Sequence, residues 1–285
     1  MKPLARVQPP PQYETYLEQI RVKKKAGDDK QQLTNNWAAI VACYGPFLAS
    51  ADNGTLDQLA PMAVTPELAR ALRSCYGRNK GAQTIKDAIK ASQPARQLKY
   101  CPMCGTTLPS THDHYLPASR FPEFAVHPLN LVPCCAKCNS TKDADWLDSQ
   151  LRRQYLHFYS DSLPPAPFLR VTLYEAQGLT AVGAFFSITR PAGVALAQWN
   201  LITSHFKRLS LIKLYNERAN DEIDEILKDC AIHLRNGGRD ATAFLQDQAQ
   251  DAEVIWGLNH WRAVLMNALA NSAKFEVLVA AKMTR

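Results

Sequence analysis

Two cysteine pairs, Cys101-Pro-Met-Cys104 and Cys135-Ala-Lys-Cys138, enclose thirty residues that carry His112, Asp113, His114, Pro117 and Asn130-Leu131, and Asn139 and Lys142 follow directly. Four thiols at this spacing suit a tetrahedral Zn²⁺. With every position a thiolate, such a zinc is closed and structural, and it supplies on the order of 10 kcal/mol to a unit too small to hold itself by its core. Asp113, Asn139 and the two imidazoles suit different work. Carboxylate and amide oxygens are hard donors for Mg²⁺, with Mn²⁺ as a substitute, and a histidine with an ordinary pKa near ~6.5 takes a proton from water at neutral pH. A cation beside a proton acceptor is what phosphodiester hydrolysis requires.

Asp113-His114 followed by Pro117, Asn130-Leu131 nine residues before Asn139, and Cys138-Asn139-x-x-Lys142 resemble the HNH endonucleases, the ββα-metal or His-Me finger class. The resemblance covers residues about 98–146. It implies a DNA endonuclease in which His114 is the general base, Asp113 and Asn139 hold one Mg²⁺, and Asn130 clamps the loop that carries the base without touching metal. Asn139 stands where many members have a final histidine, a variant the family also uses. Lys99-Tyr100-Cys-Pro-Met-Cys-Gly and the helical flanks resemble stand-alone bacterial HNH proteins, some of which work beside a partner ATPase in antiviral defence systems such as Septu. A non-catalytic zinc module that binds nucleic acid, or a toxin-like RNase for which RNA is the better substrate, uses the same residue types.

Lys142 lies one helical turn beyond Asn139, as a phosphate contact or a solvated lysine. Lys137 and Arg120 are further phosphate contacts of low specificity. His112 shares a strand face with His114, as a substitute base, a substrate contact or a strand-edge histidine. His127 lies in the Pro-rich excursion between Pro117 and Pro128, a loop position for substrate or polar surface. Cys134 competes with Cys135 as the fourth thiol, and Cys135 restores the two-residue gap. Cys43, Cys75 and Cys230 read as small buried apolar groups.

The elements that must position these groups make a mainly helical α+β protein. Residues 1–12 are Pro-rich. Apolar residues at helical spacing predict helices over Tyr13 to Val22, Trp37 to Leu48, Thr65 through Tyr76 and Ala82 to Ile89, with Thr65 as N-cap and Pro66 in the first turn. Strands over His112 to Tyr115 and Leu131-Val132, then a helix from near Ala136 through Trp146 to Leu151, form the ββα unit. Phe168 to Tyr174 and Ala181 to Ile188 read as a hairpin turning at Gln177-Gly178, and helices follow from Val194, broken at Gly237-Gly238. The expected divisions are a basic helical domain at 1–96, the zinc-stapled nuclease module at 97–150, and a mostly helical domain at 151–285 with a hairpin near 168–189. The helical flanks are suited to DNA binding or to homo-oligomer formation.

The formal charge of +7 is uneven: residues 1–100 carry 15 Lys+Arg against 8 Asp+Glu, and residues 101–150 carry 3 against 5. A basic flank beside a cation-collecting centre fits a nucleic-acid partner. No apolar run approaches the ~18 residues of a membrane span and the first residues are not an apolar signal, so the expectation is a cytoplasmic protein with no membrane partner.

Overall fold

A computed structural model describes residues 2–7, 13–77, 79–175 and 181–283. The expected turn at Gln177-Gly178 and the prolines at 9–11 lie outside the described residues. The chain divides into two compact units, Pro3–Ser162 and Leu163–Arg285 with Met1–Lys2. The expected boundaries near 96 and 150 do not coincide with that division, because the early helices pack directly onto the cysteine-bearing segment.

In the first unit, α1 (Glu14–Lys23), α2 (Asp28–Asn35), α3 (Trp37–Ala42), α4 (Tyr44–Asp52), α5 (Pro66–Arg73) and α6 (Lys80–Ala91) precede a hairpin of β1 (Thr111–His114) and β2 (Leu131–Cys134), and α7 (Ala136–Lys142) follows. The Thr65 hydroxyl accepts from the Leu68 N–H at 3.2 Å, the expected cap. The stretch Trp37 to Leu48 breaks at Cys43 into α3 and α4, since Pro46 has no N–H to offer the turn before it. Cys43 at that joint is consequently half-exposed, unlike buried Cys75 and Cys230. α6 begins at Asn79, whose side chain accepts from the Ala82 N–H, and its Ala82, Ile85 and Ile89 are buried. It packs against α1 closely enough that a Cβ on Gly81 would lie 2.3 Å from Ile20, so glycine there sets the helix's approach.

The hairpin is antiparallel, with Asp113 opposite Val132 and His114 opposite Leu131. α7 is shorter than expected. Lys142 turns inward, Asp143 follows at φ 45°, and the chain folds back so that Trp146 packs on Phe121. His127, expected on a polar loop, has no exposed surface: its ring sits among Tyr13, Tyr44, Phe47 and Phe124. The hydrophobic gain from packing Tyr13 and the α4 aromatics Tyr44 and Phe47 against the excursion outweighs the polarity of one neutral imidazole, whose Nδ1 accepts from the Leu129 N–H.

The second unit holds a hairpin of β3 (Leu169–Glu175) and β4 (Val182–Ile188), then α8 (Leu196–Arg208), α9 (Leu211–Arg235), α10 (Ala241–Trp256), α11 (Trp261–Ala270) and α12 (Phe275–Met283). The hairpin packs on α9 and α11 through Phe186, Tyr215 and Trp261. Tyr215 stacks on Trp261 at 5.8 Å, so this tryptophan serves the core. No single helix among the described residues is long and apolar enough to cross a membrane.

Two buried histidines give the first unit an acid limit. His157 sits between Ser160 Oγ and the Leu129 carbonyl, and burial pushes it down to about 4; burial also pushes His127 down to about 3. Both are neutral when folded, so below the ordinary value near ~6.5 the unfolded chain takes up protons that the folded chain refuses. Stability is full above pH ~6.5 and falls toward pH ~4, each group costing up to about 1.4 kcal/mol per pH unit. Calorimetric melting across that range should show the decline, and His127→Phe should make it shallower. A flat profile would show that neither histidine governs it.

Candidate functional site

The segment entering β1 begins with a knuckle at Cys101–Cys104. The Gly105 N–H donates to the Cys101 carbonyl at 2.7 Å and the Cys101 N–H to the Thr107 carbonyl at 2.6 Å, with Gly105 at φ 70°. Cys135 begins α7 with its sulfur accepting from the Cys138 N–H. The Sγ atoms of Cys101, Cys104, Cys135 and Cys138 all lie within 4.8 Å of one another, and all four residues are buried. Hydrogen bonds from Cys101, Cys135 and Cys138 pull Cys104 below the ordinary thiol range. This is a closed four-sulfur donor set for a structural metal such as zinc. Cys134 is not among the four; its sulfur lies 3.4 Å from Thr111 Oγ1 and is also buried.

β1 then sends its side chains to two faces. His112 and His114 face a cleft of about 890 Å³ whose walls also include Thr111, Asn139, Tyr76, Lys86, Asp87 and Lys90. The His114 Nε2 lies 2.8 Å from the Ala125 carbonyl. A carbonyl only accepts, so Nε2 carries the hydrogen and the neutral ring keeps Nδ1 as its proton acceptor. Burial pushes His114 down to about 4, with the Ala125 carbonyl opposing and the Lys142 and Lys86 cations reinforcing. Burial, then Lys86, likewise pushes His112 to about 4.

Asn130, with no exposed surface, makes three bonds across the loop that follows His114. Its Oδ1 accepts from the Leu116 N–H at 2.7 Å, and its Nδ2 donates to the carbonyls of Leu116 and Phe124, both at 3.1 Å. One amide thereby fixes the chain on both sides of the Ala125 carbonyl that orients His114.

Asp113 points to the other face of β1, toward α7. Lys142 meets it there, its Nζ 2.9 Å from Asp113 Oδ2 and donating to the His114 carbonyl at 2.8 Å. The expectation that Lys142 contacts phosphate is overturned: its side chain is 0% exposed and committed to the strand. Burial pushes Asp113 up, and Lys142 pulls it back. Asn139, one turn before Lys142 on α7, is half-buried and reaches the cleft wall. Of the two hard-oxygen donors expected for Mg²⁺, Asn139 lines the cleft, whereas Asp113 is buried and paired with Lys142. Among the described residues the four cysteines are the one group of three or more His, Cys, Asp or Glu side chains placed to hold a metal. Lys137 and Arg120 are exposed and do not line the cleft; Arg120 lies over the Phe121 ring.

Tyr76, Lys86, Asp87 and Lys90 were not singled out by motif. They come from α6 and the segment before it, and periodicity read them only as parts of helices. Tyr76 places its ring 4.3 Å from His114 and donates from its hydroxyl to the His112 carbonyl at 3.1 Å. A signal was present in the basic run through Arg78 and Lys80 to Lys90, but nothing local tied it to a strand thirty residues away.

The chain is 28% identical over 211 residues to protein Ea31 of Escherichia phage lambda, a stretch covering 70% of this chain and 69% of the phage protein. No protein-family model matches the chain, and no solved structure matches it.

Removing Lys142 leaves a buried carboxylate unpaired. Lys142→Met should therefore cost about 3–5 kcal/mol in denaturant unfolding, and adding Asp113→Asn should recover part of it; additive losses would show that the pair is not coupled. Cys104→Ser should abolish bound metal, measured by mass spectrometry, and lower the melting temperature. An unchanged melt with full metal content would dismiss the staple.

Proposed function

We propose that this protein is a metal-dependent endonuclease of the HNH type that hydrolyses phosphodiester bonds in DNA. The observation that carries the reading is His114: a carbonyl fixes its Nε2–H, leaving Nδ1 as acceptor in a cleft shared with Asn139 and two lysines. The similarity to a phage protein is compatible with a role in the biology of phages or mobile elements.

In this reading His114 Nδ1 takes the proton from the attacking water, and Asn130 keeps the ring in place through the Ala125 loop. Asp113 and Asn139 would hold one Mg²⁺, for which Mn²⁺ can substitute. When bound, the ion would supply charge neutralisation at the phosphate and support for the leaving oxygen. Lys142 acts as a positioning residue: it compensates the Asp113 charge and fixes the carboxylate against α7. So sparse a donor set binds the cation weakly, with water and substrate phosphate completing it. Zinc at the four cysteines has no part in the reaction and holds α7 to the hairpin.

The test is cleavage of supercoiled plasmid by the purified protein with Mg²⁺ or Mn²⁺, against EDTA and against His114→Ala. Metal-dependent nicking should fall on the order of 10²–10⁴-fold in the variant. Equal cleavage by His114→Ala would move the base to His112. Binding without cleavage under any metal would make the chain a nucleic-acid-binding module, and faster cutting of RNA than of DNA would reassign the substrate.

A further inference from the structure

The cleft at His114 does not end at β1. A second recess of about 580 Å³ is lined by Tyr76, Gly77, Asn79, Lys80, Gln83 and Lys86. It shares Tyr76, Gln83 and Lys86 with the first, so the two form one trough along α6. Lys80, Lys86 and Lys90 each line the trough, Lys80 and Lys90 exposed and Lys86 half-buried at the flank of the stripe formed by Ala82, Ile85 and Ile89. One acidic side chain, Asp87, stands among them and accepts from Gln83 at 2.8 Å. Among the described residues none of the three lysines forms a salt bridge; Lys86 Nζ lies 4.4 Å from the centre of the Tyr76 ring. Some cations of this unit are instead paired with carboxylates, as in Arg153 with Asp161 and Arg21 with Glu18. Here the positive charge faces an open trough that ends at the candidate base.

We propose that α6 is the substrate-tracking element of this protein, with Lys80, Lys86 and Lys90 binding phosphates spaced along the DNA strand whose scissile phosphate lies at His114. The proposal rests on the reading of the cleft as a nuclease site. Ten residues of helix span ~15 Å, and one strand of duplex DNA advances ~3.4 Å per phosphate along its axis, so the three ammonium groups cover roughly four phosphates. The contacts are to backbone alone and confer position and affinity rather than sequence preference. They replace the buried Lys142 and the remote Lys137 and Arg120 as the phosphate contacts.

The experiment measures binding of a short fluorescein-labelled DNA duplex by anisotropy as a function of salt, in the cleavage-silent His114→Ala full chain. Each lysine that meets a phosphate contributes about 0.9 to the slope of log affinity against log salt. Adding Lys80→Ala, Lys86→Ala and Lys90→Ala should flatten that slope by about 2.7 and weaken binding at least about tenfold near physiological salt. Arg120→Ala with Lys137→Ala should leave the slope unchanged. An unaltered slope in the triple variant, with circular dichroism showing the fold retained, would overturn the track. So would no binding to DNA at low salt, or equal binding and an equal slope change with polyglutamate. The two readings separate cleanly. A chain that loses slope in the triple variant yet never cuts DNA keeps the track and loses the nuclease assignment, while cutting with an unaltered slope does the reverse.

Discussion

A seven-residue helix has no stability of its own, and the candidate site depends on how α7 is held at its two ends. At the first turn, Cys135 and Cys138 join Cys101 and Cys104 in a buried cluster that ties the helix to the knuckle before β1. At the last turn, the Lys142 ammonium is drawn into β1 by the Asp113 carboxylate and the His114 carbonyl. Between these anchors the helix has one orientation, and Asn139 reaches the cleft. A short helix is thus held by polar attachments at both ends as well as by the apolar packing around it.

The hairpin is organised by a similar economy of polar contacts. The excursion from Leu116 to Leu129 contains no regular hydrogen-bonded ladder, and its backbone groups need partners wherever they are buried. Asn130 meets three of them with one side chain, and the Ala125 carbonyl, in the segment that its bond to Phe124 closes, orients His114. The aromatic cage around His127 then seals the loop from below. The orientation of His114 is in this sense a by-product of satisfying a buried loop.

The early helices are part of the same device. α6 packs on α1 through the Gly81 approach, and from that position it supplies one wall of the cleft. Tyr76 leans on His114 and bonds the strand backbone. The ββα unit and the basic helices accordingly form one compact unit rather than a module with appendages.

Much of this was legible in the residues alone. The Cys-x-x-Cys pairs, the period-two placing of His112 and His114, the Thr65 cap and the apolar periodicities are local signals, because thiol spacing, strand alternation and capping depend on neighbours a few positions away. The mainly helical α+β class followed from them. What they left open depended on contacts between residues far apart in sequence. Whether Lys142 faces phosphate or carboxylate turns on the orientation of α7 against β1. Whether His127 is surface or core turns on Tyr13, Tyr44 and Phe47, which close over it from earlier in the chain. The walls of the cleft turn on a helix whose own sequence says only that it is amphipathic. Sequence spacing determined which groups could do chemistry; tertiary structure decided which of them face the cleft, because burial and pairing are properties of surroundings that no local pattern encodes.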